Sequence, residues 1–429
     1  MEIRAFQGWR YDVCDGGDIS PFIAPPYDVL SGQDKSQLLA ECDKNIVAVD
    51  MPHVPPKELG PENVYLEAAR RLEQWKSSGL VRRDDRAAIY PYQQEFSWGG
   101  RTFLRSAVLC GVRATEFGKD VIPHEHTFAG PKAARLKLTQ CTRMQLSPIM
   151  GFHRDEDGKV AALLAAAMSD RPAMEGKLRG VTERLWVVND PRRIGEFAAA
   201  LRSEPVFIAD GHHRYTTALN YIQALRAGGG IGSDHPANFV MFALIARDDP
   251  GMLILPTHRM INGLAAGFSL EKLSKAAVEF RWQRRKIDAA DFGDIGTFLS
   301  RLGRSAMAFL ENGAKELWIA TPSDESAMCA AAPEEPQAWH ALDVAILHKL
   351  ILDKALSPWK TDKTAIEYTP DGAAVLKACR TGVAQLGACI QATSLAAVEA
   401  IATAGGTMPH KSTYFYPKLA TGMVLMPLE

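Results

Sequence analysis

Hydrophobic and polar positions along the chain alternate between two periods, and the switches between them mark out the elements. Residues 88–113 alternate with period two on either side of Trp98-Gly99-Gly100-Arg101, whose glycines supply the positive φ of a tight turn, so a β-hairpin is expected there as scaffold. Between Asn63 and Ser78, Tyr65, Ala68, Ala69, Leu72 and Trp75 recur at helical spacing. Helices are also expected near Lys35–Cys42, Lys159–Met168, Ile194–Leu201, Ser269–Phe280, Ala341–Leu352 and Tyr368–Arg380. Strands are expected at Asn45–Met51, Arg184–Val188 and Asn238–Ile245, the last leading on through Leu253–Met260, with more strands between 306 and 333 and a strand and helix between 386 and 403. Such mixing of elements makes the fold class α+β or mixed α/β.

The sharpest switch lies in Pro205–Leu219. Val206, Phe207 and Ile208 favour a buried strand, Gly211 permits a turn, and Ala218, Leu219 and Tyr221 give the next stretch a helical apolar face. Asp210, Gly211, His212, His213 and Arg214 therefore fall at a helix N-terminus, where unpaired N–H groups and the helix dipole favour an anion and an arginine fork can grip phosphate or carboxylate. A simple Asp210 cap accounts for the aspartate but not for two histidines and an arginine behind a buried strand.

Other polar groups fall at element ends. Pro25 and Pro26 stiffen the loop that carries Tyr27 and Asp28, and Asp28 reads equally as a site residue or a turn residue. His124, Glu125 and His126 lie too close together for a two-histidine helical metal motif, and Pro123 favours a loop or edge strand. On a strand His124 and His126 would share a face and can hold a metal, yet spacing identifies no third ligand, and a proton-handling loop is preferred. Lys132, Arg135 and Arg143 read as a solvated face or as countercharge for a phosphate at 210–214. Thr257, His258 and Arg259 stand at a strand end. The final segment, Met408 to Lys418, should dock onto the body; Lys411, Ser412, Thr413 and Lys418 suit phosphate contacts, with a purely structural clamp the other reading.

Composition narrows the class. With 429 residues, 47% hydrophobic and 23% charged, the chain can form two or three domains, here divided into 1–265 and 266–429. The balance of 49 basic and 50 acidic residues gives a net charge of −1, which points to neither nucleic acid nor an anionic membrane. No signal peptide or membrane span is visible, so a cytoplasmic location is expected. Seven scattered cysteines without a Cys-x-x-Cys pair indicate no disulfide framework, zinc site or redox cofactor. Oligomeric state is not legible.

Five segments carry a resemblance: Ala24-Pro-Pro-Tyr-Asp-Val29, His124-Glu-His-Thr127, Leu146-Ser-Pro-Ile149, Ala209-Asp-Gly-His-His-Arg-Tyr215 and Met408-Pro-His-Lys-Ser-Thr-Tyr-Phe-Tyr-Pro-Lys418. Together they resemble the bacterial and archaeal family called domain of unknown function 1015. The Asp-Gly-His-His-Arg turn also resembles the phosphate-binding motif of the ParB and sulfiredoxin superfamily, including free serine kinases. Two departures are an Ala133-Ala134 pair where an acidic residue is expected before Arg135, and His410 where glutamine is commoner. The resemblance implies a ParB/sulfiredoxin-like phosphate-binding core with further mixed-sheet lobes. It implies phosphoryl chemistry on serine or phosphoserine, with ADP or ATP and Mg²⁺ as participants. Asp210 and Glu125 are then the candidate bases, Asp28 a third, and His212 or His213 the proton carrier; Gly211, Arg214, Lys132, Arg143, Lys411, Ser412, Thr413, Lys418, His124 and His126 surround the substrate. Whether the direction is kinase or phosphatase stays open. The rival reading is a nucleotide-responsive, ParB-like DNA-binding or regulatory protein without catalysis, which the weakly basic 281–286 stretch and near-neutral charge fit poorly. Sulfiredoxin-like thiol chemistry would need a cysteine beside the turn, and Cys141 and Cys329 are both distant in sequence.

Overall fold

A computed structural model describes the whole chain except Cys14, Asp15, Gly16, His126, Phe128 and Glu325. It is mixed α/β, as expected, and divides into two compact units, residues 1–252 with 417–429, and residues 253–416.

The first unit is built on a ten-stranded mixed sheet. The expected hairpin, Tyr90–Trp98 and Arg101–Arg113, forms its middle, and Phe239–Ala246, Ile149–His153, Val206–Asp210 and Val121–Ile122 follow outward in that order. Phe239–Ala246 runs parallel to Ile149–His153, which pairs antiparallel with Val206–Asp210. Strands 149–153, 206–209 and 239–245 are buried throughout, which is why they read as continuous apolar runs rather than alternating ones. Val108, Cys110, Ile149, Val206, Ile208, Tyr215, Phe242 and Leu244 meet in one core. The helix His212–Ala227 packs by Tyr215, whose hydroxyl donates to the Thr115 carbonyl at 2.7 Å and accepts from the Thr115 amide at 2.9 Å.

The second unit has a six-stranded antiparallel sheet in the order Phe280–Lys286, Glu316–Pro322, Met307–Glu311, Leu386–Cys389, His258–Asn262 and Ala365–Thr369. The basic run 281–286 is thus an edge strand, with Arg284 stacked on Trp318.

Two element expectations change. Asn45–Met51 is not a strand: Val47–Asp50 is one helical turn, because Asn45 accepts from the Val47 amide at 3.0 Å and donates to the Pro21 and Ile23 carbonyls at 2.9 and 2.8 Å. A side chain that ties up backbone groups locally overrides β propensity. Tyr368–Arg380 is a strand, Ala365–Thr369, followed by a helix, Gly372–Arg380. Pro370 favours extended backbone in the residue before it, and Asp371 caps the helix through the Ala373 amide at 2.9 Å.

Candidate functional site

The strand Val206–Asp210 is buried through Ala209 and surfaces at Asp210. Gly211 then takes φ +106°, and the helix starts at His212. Glycine is required twice over here: the dihedral is left-handed, and a Cβ would sit 3.0 Å from the Arg214 guanidinium. Arg214 folds back across the turn, with Nη2 3.7 Å from Asp210 Oδ2 and Nη1 donating to the Pro148 carbonyl and lying 3.5 Å from Ser147 Oγ. The Leu146–Ile149 segment therefore works by aiming Arg214.

A second cation arrives from the far end of the chain. Lys418 Nζ lies 3.2 Å from Asp210 Oδ2. Its backbone is held by side chains of the central hairpin: Gln94 donates to the Lys418 carbonyl at 3.1 Å and Arg105 to the Pro417 carbonyl at 2.5 Å. Arg105 also donates to Gln94 Oε1 at 3.1 Å, Gln94 to Glu183 Oε1 at 3.0 Å, and Tyr92 to Glu183 Oε2, while the Ala420 amide donates to the Tyr92 hydroxyl at 3.3 Å. The hairpin, expected only as scaffold, thus also carries a polar network that holds Lys418. The available signal was Gln94 and Arg105 on the buried face of an alternating pattern.

Charge follows geometry. Burial pushes the Asp210 carboxyl up, but Lys418 and Arg214 outweigh it and hold the group down at about 2. Burial pushes His124 down to about 4 and His212 well below the usual histidine range, so both rings are neutral at pH 7. The His124 amide donates to His212 Nε2 at 3.2 Å, which places the proton of the neutral ring on Nδ1. That Nδ1 is 3.9 Å from Glu125 Oε2, while His124 Nε2 is 4.0 Å from Glu125 Oε1, so one carboxylate faces two buried imidazoles set edge to face.

The remaining expected residues are spread over both units. His213 is half-buried and lowered first by burial, with Asp28 opposing and Lys132 and Lys57 adding to the effect, which puts Asp28 and Lys132 in its electrostatic neighbourhood. Asp28 Oδ1 is buried without a hydrogen-bond partner, and Lys132 Nζ is 3.4 Å from Thr127 Oγ1. Arg143 is not brought to the turn: it follows the helix Ala129–Thr142 at φ +52° and pairs with Glu429 at 2.7 Å, 61% exposed. Arg135 pairs with Asp50 Oδ1 and the Asp50 carbonyl at 2.6 Å each and covers the Tyr27 ring at 4.4 Å. Lys411, Ser412 and Thr413 belong to the second unit, where Ser412 is buried and donates to the Pro409 carbonyl. His126 lies outside the described residues.

Among the described residues no group of three His, Cys, Asp or Glu side chains could hold a metal, and no helix is long and apolar enough to cross a membrane. No curated protein matches the chain. Solved structures similar to it include a free serine kinase mutant in complex with AMP, at 12% identity over 71% of this chain and 89% of that one with a TM-score of 0.35. They also include C-terminally truncated SbnI from Staphylococcus aureus, at 14% identity over 75% and 87% with a TM-score of 0.34. A conserved hypothetical protein from Pyrococcus furiosus is similar at 12% identity over 71% and 92%, with a TM-score of 0.31. By sequence, residues 3–345 match the family described as protein of unknown function DUF1015, and the chain belongs to that family.

Proposed function

We propose that the chain is a phosphoryl-transfer enzyme whose anion site is the Asp210–Arg214 turn completed by Lys418, and that it acts on serine or phosphoserine. The observation that carries the reading is the convergence of Arg214 and Lys418 on one carboxylate oxygen at the N-terminus of a sixteen-residue helix. Two cations against one carboxylate leave the cluster net positive, and the first-turn N–H groups add donors. A phosphoryl group docked there takes its equatorial oxygens to these groups, the main requirement of this chemistry.

Binding also changes the base. Ligand-free Asp210 at about 2 is too weak to accept a hydroxyl proton efficiently. A phosphoryl group that draws Lys418 and Arg214 toward itself removes the partners that hold Asp210 down, and burial then raises it. In the kinase direction serine Oγ bonds to phosphorus, its proton passes to Asp210 or Glu125, and the bridging P–O bond of the nucleotide breaks. In hydrolysis water is the nucleophile and the seryl oxygen leaves with a proton. Serine, ADP or ATP enter through the resemblance of the Asp-Gly-His-His-Arg turn. Mg²⁺ would shield phosphate oxygens, and the orphaned Asp28 Oδ1 suits a hard cation.

The test is phosphate release from L-phosphoserine by purified protein, with and without Mg²⁺ and with ADP as alternative acceptor, beside Arg214→Ala. Turnover that depends on Arg214 supports the reading, and ADP dependence assigns the kinase direction. No turnover under any condition, or turnover unchanged by Arg214→Ala, overturns it.

A further inference from the structure

Arg259 lies wholly within the second unit, on the strand His258–Asn262 between Leu386–Cys389 and Ala365–Thr369, and is 0% exposed. Its guanidinium covers the ring of Tyr368, its cross-strand neighbour, at 5.5 Å. Three contacts engage it: Nη1 donates to the Thr257 carbonyl, and Nη2 donates to His348 Nε2 and to the Lys411 carbonyl, both at 3.3 Å. Of the five N–H groups of an arginine this leaves two, and Nε–H is buried with no acceptor. No aspartate or glutamate pairs with Arg259 among the described residues. A buried cation without a counter-anion is costly, and folded proteins either pair it or supply a ligand.

The surroundings deepen the deficit. His348 and Tyr368 are half-buried, and His410 and Lys411 are exposed. The nearby acid, Asp353, is taken by Lys360 at 3.0 Å. Thr257 Oγ1, beside Arg259 in sequence, is likewise buried without a partner. Among the described residues, donors and cations thus collect here with no carboxylate paired to Arg259.

We propose that Arg259 is the floor of an oxyanion site of the phosphate class in the second unit, with His348, His410 and Lys411 toward solvent. The site does not rest on the chemistry proposed at Asp210. The competing role is a structural staple in which Arg259 only ties carbonyls together.

The test uses the full chain and inorganic phosphate, followed by calorimetry. In an Arg214→Met, Lys418→Met background, which removes both cations of the other anion site, one phosphate site should remain, and adding Arg259→Met should remove it. Loss of all binding in that background alone, or binding that survives the added Arg259→Met, overturns the proposal. Should Arg259→Met fail to fold, Arg259→Lys keeps the charge but loses the fork and should weaken phosphate about tenfold or more; unchanged affinity overturns the proposal. Selenate soaked into crystals should give anomalous density beside the Arg259 guanidinium, and density confined to the Gly211 turn counts against it. Acetate run in parallel should bind more weakly, and preference for acetate overturns the phosphate assignment.

Discussion

Lys418 Nζ stands 3.2 Å from Asp210 Oδ2, so the chain just past Pro417 supplies a cation to the C-terminal end of the strand Val206–Asp210. Removing it should do more than weaken anion binding. In Lys418→Met, Asp210 keeps the burial that raises it and loses its principal opposing charge. The carboxylate form that the reaction requires then persists over a narrower range, and the acid limb of the rate profile should move up by about one pH unit or more. kcat/KM for phosphoserine should fall on the order of a hundredfold. A rate loss with an unmoved acid limb would assign Lys418 to binding alone.

Gly211→Ala places a Cβ at φ +106° and 3.0 Å from the Arg214 guanidinium. The left-handed dihedral alone should cost about 1–2 kcal/mol, and Arg214 must give way from the geometry in which it meets Asp210 and Pro148. Denaturant unfolding should show the loss, and phosphate affinity should fall with it. Gly195→Ala is the control: it sits inside the helix Pro191–Leu201 with open space around it, and should stabilise by about 0.5–1 kcal/mol. Equal effects at both positions would remove the special claim for Gly211.

The hairpin, the long helices and the strand–turn–helix at 206–227 were legible because each satisfies one period and one turn chemistry at once. Lys418 was legible as a candidate phosphate contact by residue type, but its partner was not, since nothing in local sequence states that residues 94 and 105 grip the backbone at 417–418. The same holds for Arg135, which read as a solvated or phosphate-facing charge. Its partner Asp50 sat in a run mistaken for a strand, because a short apolar stretch does not distinguish strand from helical turn.

Arg135 and Asp50 are 9% and 2% exposed and joined at 2.6 Å, under the motif that presents Tyr27 and Asp28. Arg135→Met leaves Asp50 as an unpaired buried charge and should cost about 3–5 kcal/mol, with Tyr27 losing the cation on its ring. Changing both partners, Arg135→Met with Asp50→Leu, should recover most of that loss. A double variant no more stable than the single one would show that packing, and not the stranded charge, sets the cost.

Two buried groups of the first unit titrate against each other. Burial holds His124 at about 4 against 6.5 in the unfolded chain, so between those values unfolding takes up a proton and stability falls as pH falls. Glu183 is pushed by burial to about 7 from 4.5, overcoming the Tyr92 and Gln94 hydrogen bonds and Arg105. Over that window the folded state holds the extra proton, and stability falls as pH rises. Each shift corresponds to about 3 kcal/mol and the two slopes oppose each other across the window they share, on top of the slope that His212, lowered by the same burial, contributes. Relative to the parent, Glu183→Gln should therefore make stability climb more steeply from pH 4.5 to 6.5, and His124→Gln should make it climb less steeply over the same range. Denaturant unfolding at intervals of half a pH unit reads both slopes. Parallel curves for the two variants would mean that neither group carries the shift its burial dictates.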